Sequence, residues 1–139
     1  MIDEIKFCKI QEKDATDKIL ETVAIFINNR EIVDIINEAE TVLRDKKSEY
    51  IHQLPSALYI RLKDAIESDE YDHEAEILCC ICGEIECWSP IVHITVDENY
   101  IYWDKFTHNH LKGTYNLSFK FNKLSFMNEF KKLEKWAEE

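Results

Sequence analysis

Four of the five cysteines of this chain lie close together in its second half, and a cluster of thiols is the feature best suited to chemistry. Cys80 and Cys82 fall on the same face of a predicted strand, and Gly83 permits the tight reversal that brings Cys87 back to them. Three thiols could therefore converge. With His110 they would form a Cys3His site of the kind that zinc favours.

The spacing of these cysteines departs from that of common metal and redox sites. Structural zinc sites usually present two pairs of the C-x2-C type, whereas here C-x-C is followed by C-x4-C and no second pair exists. Free cysteine packs as a small hydrophobe, and the neighbouring Glu84 and Glu86 would raise a thiol pKa that a reactive thiolate needs lowered. We therefore predict packed, reduced thiols and no cofactor. Zinc binding or redox chemistry at Cys80, Cys82 and Cys87 is the alternative.

The five histidines do not form a catalytic signature. We expect His52 and His73 at the surface, because both sit in polar stretches. His108 and His110 fall on a predicted loop, where a histidine paired with a carboxylate or a thiol across the sheet is the alternative. The sequence has no G-x-S-x-G, H-E-x-x-H or G-x-G-x-x-G motif. We therefore predict that the chain is not an enzyme.

The composition indicates one compact domain over residues 1–139. The chain is 45% hydrophobic and contains only 2 Gly and 2 Pro. A chain of this length buries roughly 68% of its unfolded surface, so the core needs no disulfide or metal. The longest apolar runs are short of the roughly 20 residues that span a bilayer, and the first residues are acidic rather than cationic. We predict a cytoplasmic protein that does not insert into a membrane.

The first half of the chain predicts a hairpin followed by a helix. Residues 5–10 and 23–27 are rich in β-branched and aromatic side chains, as in paired strands. Asn28 and Asn29 supply turn and N-cap chemistry, and apolar residues then recur at helical spacing over residues 32–43.

The middle of the chain is more polar. Residues 44–53 predict a loop, and a short helix is expected to begin near Pro55. Residues 67–76 form an acidic stretch without apolar periodicity, which predicts an exposed connector.

The second half predicts an antiparallel meander and a final helix. Its four expected strands are separated by turn residues at close spacing, and Asn122 is placed to cap a helix with an apolar stripe. We therefore predict an α+β fold with five to six antiparallel strands, covered by one helix from the N-terminal half and one C-terminal helix. The four strands are residues 77–82, 91–96, 101–106 and 115–121.

The charge of the chain indicates a basic partner. Acidic residues number 28 against 17 basic ones, a net charge of −11, which argues against nucleic acid and anionic lipid as ligands. Residues 100–103 place aromatic rings on both faces of a strand, a surplus that also suits a protein interface. The predicted partner-binding residues are Glu67, Asp69, Glu70, Asp72, Glu84, Glu86, Tyr100, Tyr102 and Trp103.

The motif C-x-C-G-E-x-x-C-W, followed by I-x-V, W-x-x-F-x-x-x-H and F-x-F before a helix, resembles a widespread family of small uncharacterised bacterial proteins. The similarity extends back to residues 26–30 and so covers most of the chain. The chain departs from the pattern at Glu86, where the family has a small residue, and at Ser89, where proline is expected. The resemblance implies a fold and a cysteine cluster but no activity. The matching residues are Cys80, Cys82, Gly83, Glu84, Cys87, Trp88, Ile94, Val96, Trp103, Phe106, His110, Phe119 and Phe121.

A looser likeness, without a motif, is to immunity proteins of contact-dependent growth inhibition and other polymorphic toxin systems. It rests on small size, acidity and the lack of catalytic groups. A nuclease exposes cationic residues that hold phosphates, and an acidic partner can offer carboxylates to them. We therefore predict a noncatalytic binding protein that neutralises a basic, nuclease-type toxin.

Overall fold

The computed structural model describes residues 2–41, 49–67, 73–81, 89–108 and 114–139. Within these residues the predicted α+β class is confirmed, with three helices and with nine strands instead of the expected five to six. The elements are β1 (Ile5–Lys13), β2 (Ile19–Ile27), β3 (Arg30–Glu31), α1 (Ile32–Glu40), β4 (Tyr50–His52), α2 (Pro55–Glu67), β5 (His73–Glu76), β6 (Leu78–Cys80), β7 (Pro90–Val96), β8 (Tyr100–His108), β9 (Phe119–Asn122) and α3 (Lys123–Ala137).

The strands pair into three antiparallel sheets that share one core. Their strand orders are β1-β2-β3, β4-β6 and β5-β7-β8-β9. A parallel bridge between Asp3 and Phe121 links the start of the chain to β9, and Val23 N donates to the Gln53 carbonyl at 3.0 Å. Buried apolar side chains from all three sheets and all three helices form one cluster. No helix in the described ranges is long and apolar enough to cross a membrane.

The asparagine pair ends the second strand, as predicted. Asn28 and Asn29 have φ angles of 53° and 66°, the left-handed pair that a two-residue hairpin turn requires and that asparagine tolerates. The pair is therefore used for the β2–β3 turn. The N-cap of α1 is Glu31 instead, whose carboxylate accepts from the backbone N–H of Val33 at 3.2 Å. A negative charge at this position also complements the helix dipole.

The predicted loop over residues 44–53 is wrong at its C-terminal end. Tyr50, Ile51 and His52 form β4, which pairs with β6, and all three are buried. A strand of three residues is too short for a period to be read from the sequence. Its place is decided by the sheet partner.

The predicted exposed connector over residues 67–76 is wrong at both of its described ends. The helix α2 extends to Glu67, and β5 begins at His73 and pairs with β7. Ala75 is buried while Glu74 is exposed, so the acidic side chains occupy one face of a strand. The predicted first strand of the meander is also reassigned, since β6 pairs with β4 and β5 takes its place beside β7.

The last strand is shorter than the predicted residues 115–121. Tyr115 lies before β9, where its N–H donates to the Phe106 carbonyl at 2.7 Å and its ring is buried. The cap of α3 is as predicted, because the Asn122 side chain accepts from Ser125 N at 3.0 Å.

The apolar stripe of α3 faces the core, as predicted. Phe126, Phe130 and Leu133 are buried. The Phe126 ring lies 5.7 Å from that of Phe121 in β9, and the Phe130 ring stacks on Tyr59 of α2 at 5.3 Å. The helices α2 and α3 therefore pack against each other over one face of the four-stranded sheet.

Candidate functional site

The second face of the four-stranded sheet lies opposite the face that α2 and α3 cover. Strand alternation turns Val92, Ile94 and Phe121 toward the helices. The side chains between them point the other way and are exposed or half-buried. We call this surface the open face. Its residues are Glu74, Glu76, Ile91, His93, Thr95, Tyr100, Tyr102, Asp104 and Lys120.

The open face is acidic along one side and aromatic along the other. Glu74 pairs with His93 across β5 and β7, with the carboxylate 2.9 Å from Nε2, and 61% of the Glu74 side chain is exposed. Asp104 of β8 is paired with His93 of β7, so its side chain lies on the same face of the sheet. Tyr102 lies opposite Lys120 of β9. The surface therefore offers carboxylates and phenol rings together on a rigid sheet.

The predicted partner-binding residues divide between this face and other places. Tyr100 and Tyr102 lie on the open face. Trp103 does not, because it alternates to the core side, is 0% exposed and packs edge-on against Phe121 and Phe126. Glu67 is the exposed last residue of α2. The remaining predicted carboxylates, which are Asp69, Glu70, Asp72, Glu84 and Glu86, lie outside the described residues.

The predicted cysteine cluster is described only in part. Cys80 is half-buried on β6 opposite Tyr50, and neither Cys80 nor Cys8 is in a disulfide. The described residues contain no group of three or more potential ligands placed to hold a metal ion. Convergence of the thiols stays a prediction, since Cys82, Cys87 and His110 lie outside the described residues.

A buried polar cluster surrounds Glu40, the last residue of α1. Its side chain is 0% exposed, and its carboxylate accepts hydrogen bonds from the hydroxyls of Tyr50 and of Tyr115, the latter at 2.6 Å. His108 brings Nε2 to 3.1 Å from the Tyr50 hydroxyl and 3.8 Å from the Glu40 carboxylate. His108 is thus the buried end of β8 and not a loop residue, and the structure places it beside a carboxylate.

This cluster keeps a carboxylate in the core by surrounding it with donors. Burial, together with the hydrogen bond and charge of Glu40, raises the pKa of Tyr115 above its usual range. The phenol therefore keeps its proton and remains a donor. The cluster joins α1, β4, β8 and the segment before β9, which gives it a structural role.

Tyr115→Phe should lower the free energy of unfolding by about 1.5–3 kcal/mol, because it removes a hydrogen bond to a buried charged group. Urea unfolding monitored by circular dichroism measures the loss. Tyr102→Phe is the matched control, since it removes an exposed phenol that also donates to a carboxylate, that of Asp97. Equal losses of unfolding free energy in the two variants would show that the buried hydrogen bond to Glu40 stabilises the fold no more than an exposed one.

A second buried cluster is built on His52, whose predicted surface position is wrong. His52 is 3% exposed. Its Nδ1 lies 2.8 Å from the Glu12 carboxylate and its Nε2 lies 2.7 Å from the Glu31 carboxylate. Both ring nitrogens can donate only in the imidazolium form. Thr22 completes the cluster by donating its hydroxyl to Glu12 at 2.6 Å.

Charge holds His52 in the protonated form. Burial lowers the pKa of His52, but the hydrogen bonds and charges of Glu12 and Glu31 outweigh it and raise the pKa to about 9. Burial likewise raises the pKa of Glu12, and the hydrogen bonds from His52 and Thr22 bring it below its usual value. The imidazolium therefore ties β1 and β4 to the N-terminus of α1.

Sequence reasoning missed Glu74, Asp104 and Lys120 as members of the open face. Their signal is the alternation of β5, β8 and β9, but the register between the strands was needed to bring them together. The resemblance to the bacterial family with the C-x-C-G-E-x-x-C-W motif stays a prediction. No protein-family model matches the chain, and searches of curated proteins and of solved structures found no match either.

Proposed function

We propose that this chain is a noncatalytic cytoplasmic binding protein, and specifically an immunity protein that neutralises a basic, nuclease-type bacterial toxin by direct binding. The observation that carries the proposal is the open face, where Glu74 and Asp104 stand beside Tyr100 and Tyr102 on a sheet. Tyrosine supplies a large contact area at low entropic cost, and carboxylates match a basic partner.

The net charge supports the same partner. A protein of net charge −11 attracts a cationic surface over a distance, and clustered acids on one face direct the encounter toward that face. The cationic residues with which a nuclease binds phosphates are suitable targets. Binding to them blocks the toxin without any chemistry by the inhibitor.

The cytoplasmic location is proposed from the thiols and the partner. Neither Cys8 nor Cys80 is in a disulfide, which suits a reducing compartment. A nuclease toxin acts on cytoplasmic nucleic acid, so its inhibitor must be present there.

Glu74→Lys combined with Asp104→Lys should slow association with the basic nuclease toxin domain that the proposal requires. We expect a loss of roughly tenfold at low salt that shrinks as salt is added, because surface charges act mainly on the association rate. Stopped-flow fluorescence across ionic strengths measures the effect. Both changes are on the sheet surface, and the fold is checked by circular dichroism.

The matched control is Asp64→Lys combined with Glu138→Lys, which alters net charge equally at exposed positions of α2 and the C-terminus. It should retain most of the association rate. Equal slowing by both pairs would mean that total charge, and not the open face, steers binding. An unchanged rate in the open-face variant would remove this face from the interface. Absence of any binding, with one equivalent of zinc in the purified chain, would favour the cysteine-based alternative.

A further inference from the structure

One end of the open face already holds a cation. Tyr100 and Tyr102 stand two positions apart on β8, with ring centroids 6.2 Å apart and planes tilted by 57°. The Nζ of Lys120 lies 4.0 Å from the Tyr100 centroid and 6.0 Å from that of Tyr102. Both distances fall within the range of cation–π attraction. The two rings are thus arranged around a positive charge.

Asp97, in the turn between β7 and β8, holds the Tyr102 ring and the backbone of Tyr100. One carboxylate oxygen accepts from Tyr102 OH at 2.9 Å, and the other accepts from the backbone N–H groups of Asn99 and Tyr100 at 2.8 and 2.7 Å. The hydrogen bonds from Asn99, Tyr100 and Tyr102 lower the pKa of Asp97, which keeps it negative. The phenol and the carboxylate are therefore positioned before a ligand arrives, which lowers the entropic cost of binding.

A cavity of about 490 Å³ adjoins Tyr100 and extends the site. Leu124 and Met127 of α3 line it together with Glu98. Leu124 is 78% exposed, the highest value among the large hydrophobic side chains of the described residues. Lys123 also lines the cavity and its Nζ donates to the Asp97 carbonyl oxygen at 3.2 Å, so the acid and the base of the lining balance and the cavity adds mainly apolar surface next to Tyr100.

We propose that Tyr100, Tyr102 and Asp97 form a binding site for an arginine side chain of a basic partner protein, which takes the place of Lys120 over the two rings. This inference rests on the proposed function and names the group that the toxin contributes. The guanidinium is planar, stacks on aromatic faces and is more weakly hydrated than an ammonium, so it is better suited than lysine to leave water.

Lys120 can leave the two rings when another cation arrives. It lies on β9, the last strand in the order of the four-stranded sheet, and its long stem can swing into solvent. Its ammonium satisfies the rings in the free protein and competes with an incoming cation. Removing the ammonium should therefore increase the affinity for arginine.

The test uses a blocked tetra-arginine peptide as the probe and NMR of the tyrosine ring protons as the readout. Lys120→Met should bind the peptide about three- to fivefold more tightly than the unaltered chain, the value of one exposed cation–π contact. Tyr100 and Tyr102 ring protons should shift on binding. The matched control is Lys131→Met, which removes the same charge from an exposed position of α3.

The double variant Lys120→Met with Tyr100→Leu should lose the gain. An equal gain in Lys131→Met would overturn the inference, because it would reflect total charge alone. Persistence of the gain without Tyr100 would overturn it as well. The peptide titration tests the arginine site without the toxin. The association rate with the toxin tests the proposed function. Failure of one can therefore be distinguished from failure of the other. A fold check by amide NMR accompanies each variant.

Discussion

Phe126→Ala should lower the free energy of unfolding by about 3–5 kcal/mol, the cost of removing a buried aromatic ring from a core that cannot collapse. The ring is 0% exposed. Its centroid lies 6.1 Å from that of Phe7 in β1 and 6.0 Å from that of Trp103 in β8. One side chain of α3 thus joins the N-terminal sheet to the four-stranded sheet. Loss of the ring loosens both contacts at once.

Urea unfolding of the variant measures this loss. Leu124→Ala is the control on the same helix, because Leu124 is exposed and its replacement should change stability by less than about 0.5 kcal/mol. A loss below about 1 kcal/mol in Phe126→Ala would mean that α3 does not close the core.

The free energy of unfolding should fall by about 3 kcal/mol as pH rises from 6.5 to above 9, through the titration of His52. The folded protein raises the pKa of His52 from 6.5 to about 9. A raised histidine pKa stabilises the folded state fully below the unfolded value, and that stability disappears as pH rises through the folded value. The neutral ring can donate to only one of its two carboxylates. Glu12 and Glu31 then lose a shared counter-ion.

At acidic pH the titration of Glu12 has the opposite effect, because the free energy of unfolding falls as pH falls. The pKa of Glu12 is lowered from 4.5, so its contribution is present above that value and is lost as pH falls through the lowered pKa. The Glu12–His52 pair therefore stabilises the fold most between about pH 4.5 and 6.5.

The difference in unfolding free energy between the unaltered chain and His52→Gln isolates this contribution, since other titrating groups cancel. We expect the difference to shrink by about 3 kcal/mol between pH 6.5 and 9.5. Gln53→Met, at the buried position next to His52, is the control, because it removes no titrating group. A pH-independent difference for His52→Gln would mean that the buried ring is neutral throughout this range.

The two buried polar clusters make the fold rigid, and a rigid fold favours the binding that we propose. His52 ties three elements together, and Glu40 joins α1 to β4 and to the segment before β9. Fully paired polar groups in a core hold one arrangement, because any other leaves a donor or an acceptor unpaired. A rigid scaffold keeps Tyr100 and Tyr102 in position for binding, as is usual for tight protein inhibitors.

Elements whose cause is local could be predicted from the sequence. Asn28 and Asn29 indicate a turn because asparagine tolerates positive φ, and Asn122 indicates a helix start because its side chain reaches an N–H three residues ahead. The apolar stripe of α3 can be predicted from the helical spacing of its own residues. The fold class, the hairpin and the three helices, including the one that begins at Pro55, follow from such short-range chemistry.

Tertiary structure decided the features that depend on distant partners. Glu12 lies 40 positions from His52, and Glu40 lies 75 positions from Tyr115, so no local pattern marks either cluster. A histidine in a polar stretch indicates exposure until two carboxylates from other elements enclose it. The same holds for β8, where Tyr102 and Trp103 are equally aromatic. Only the packing of α3 against one side of the sheet makes Trp103 core and leaves Tyr102 at the surface, because the helix desolvates one face and not the other.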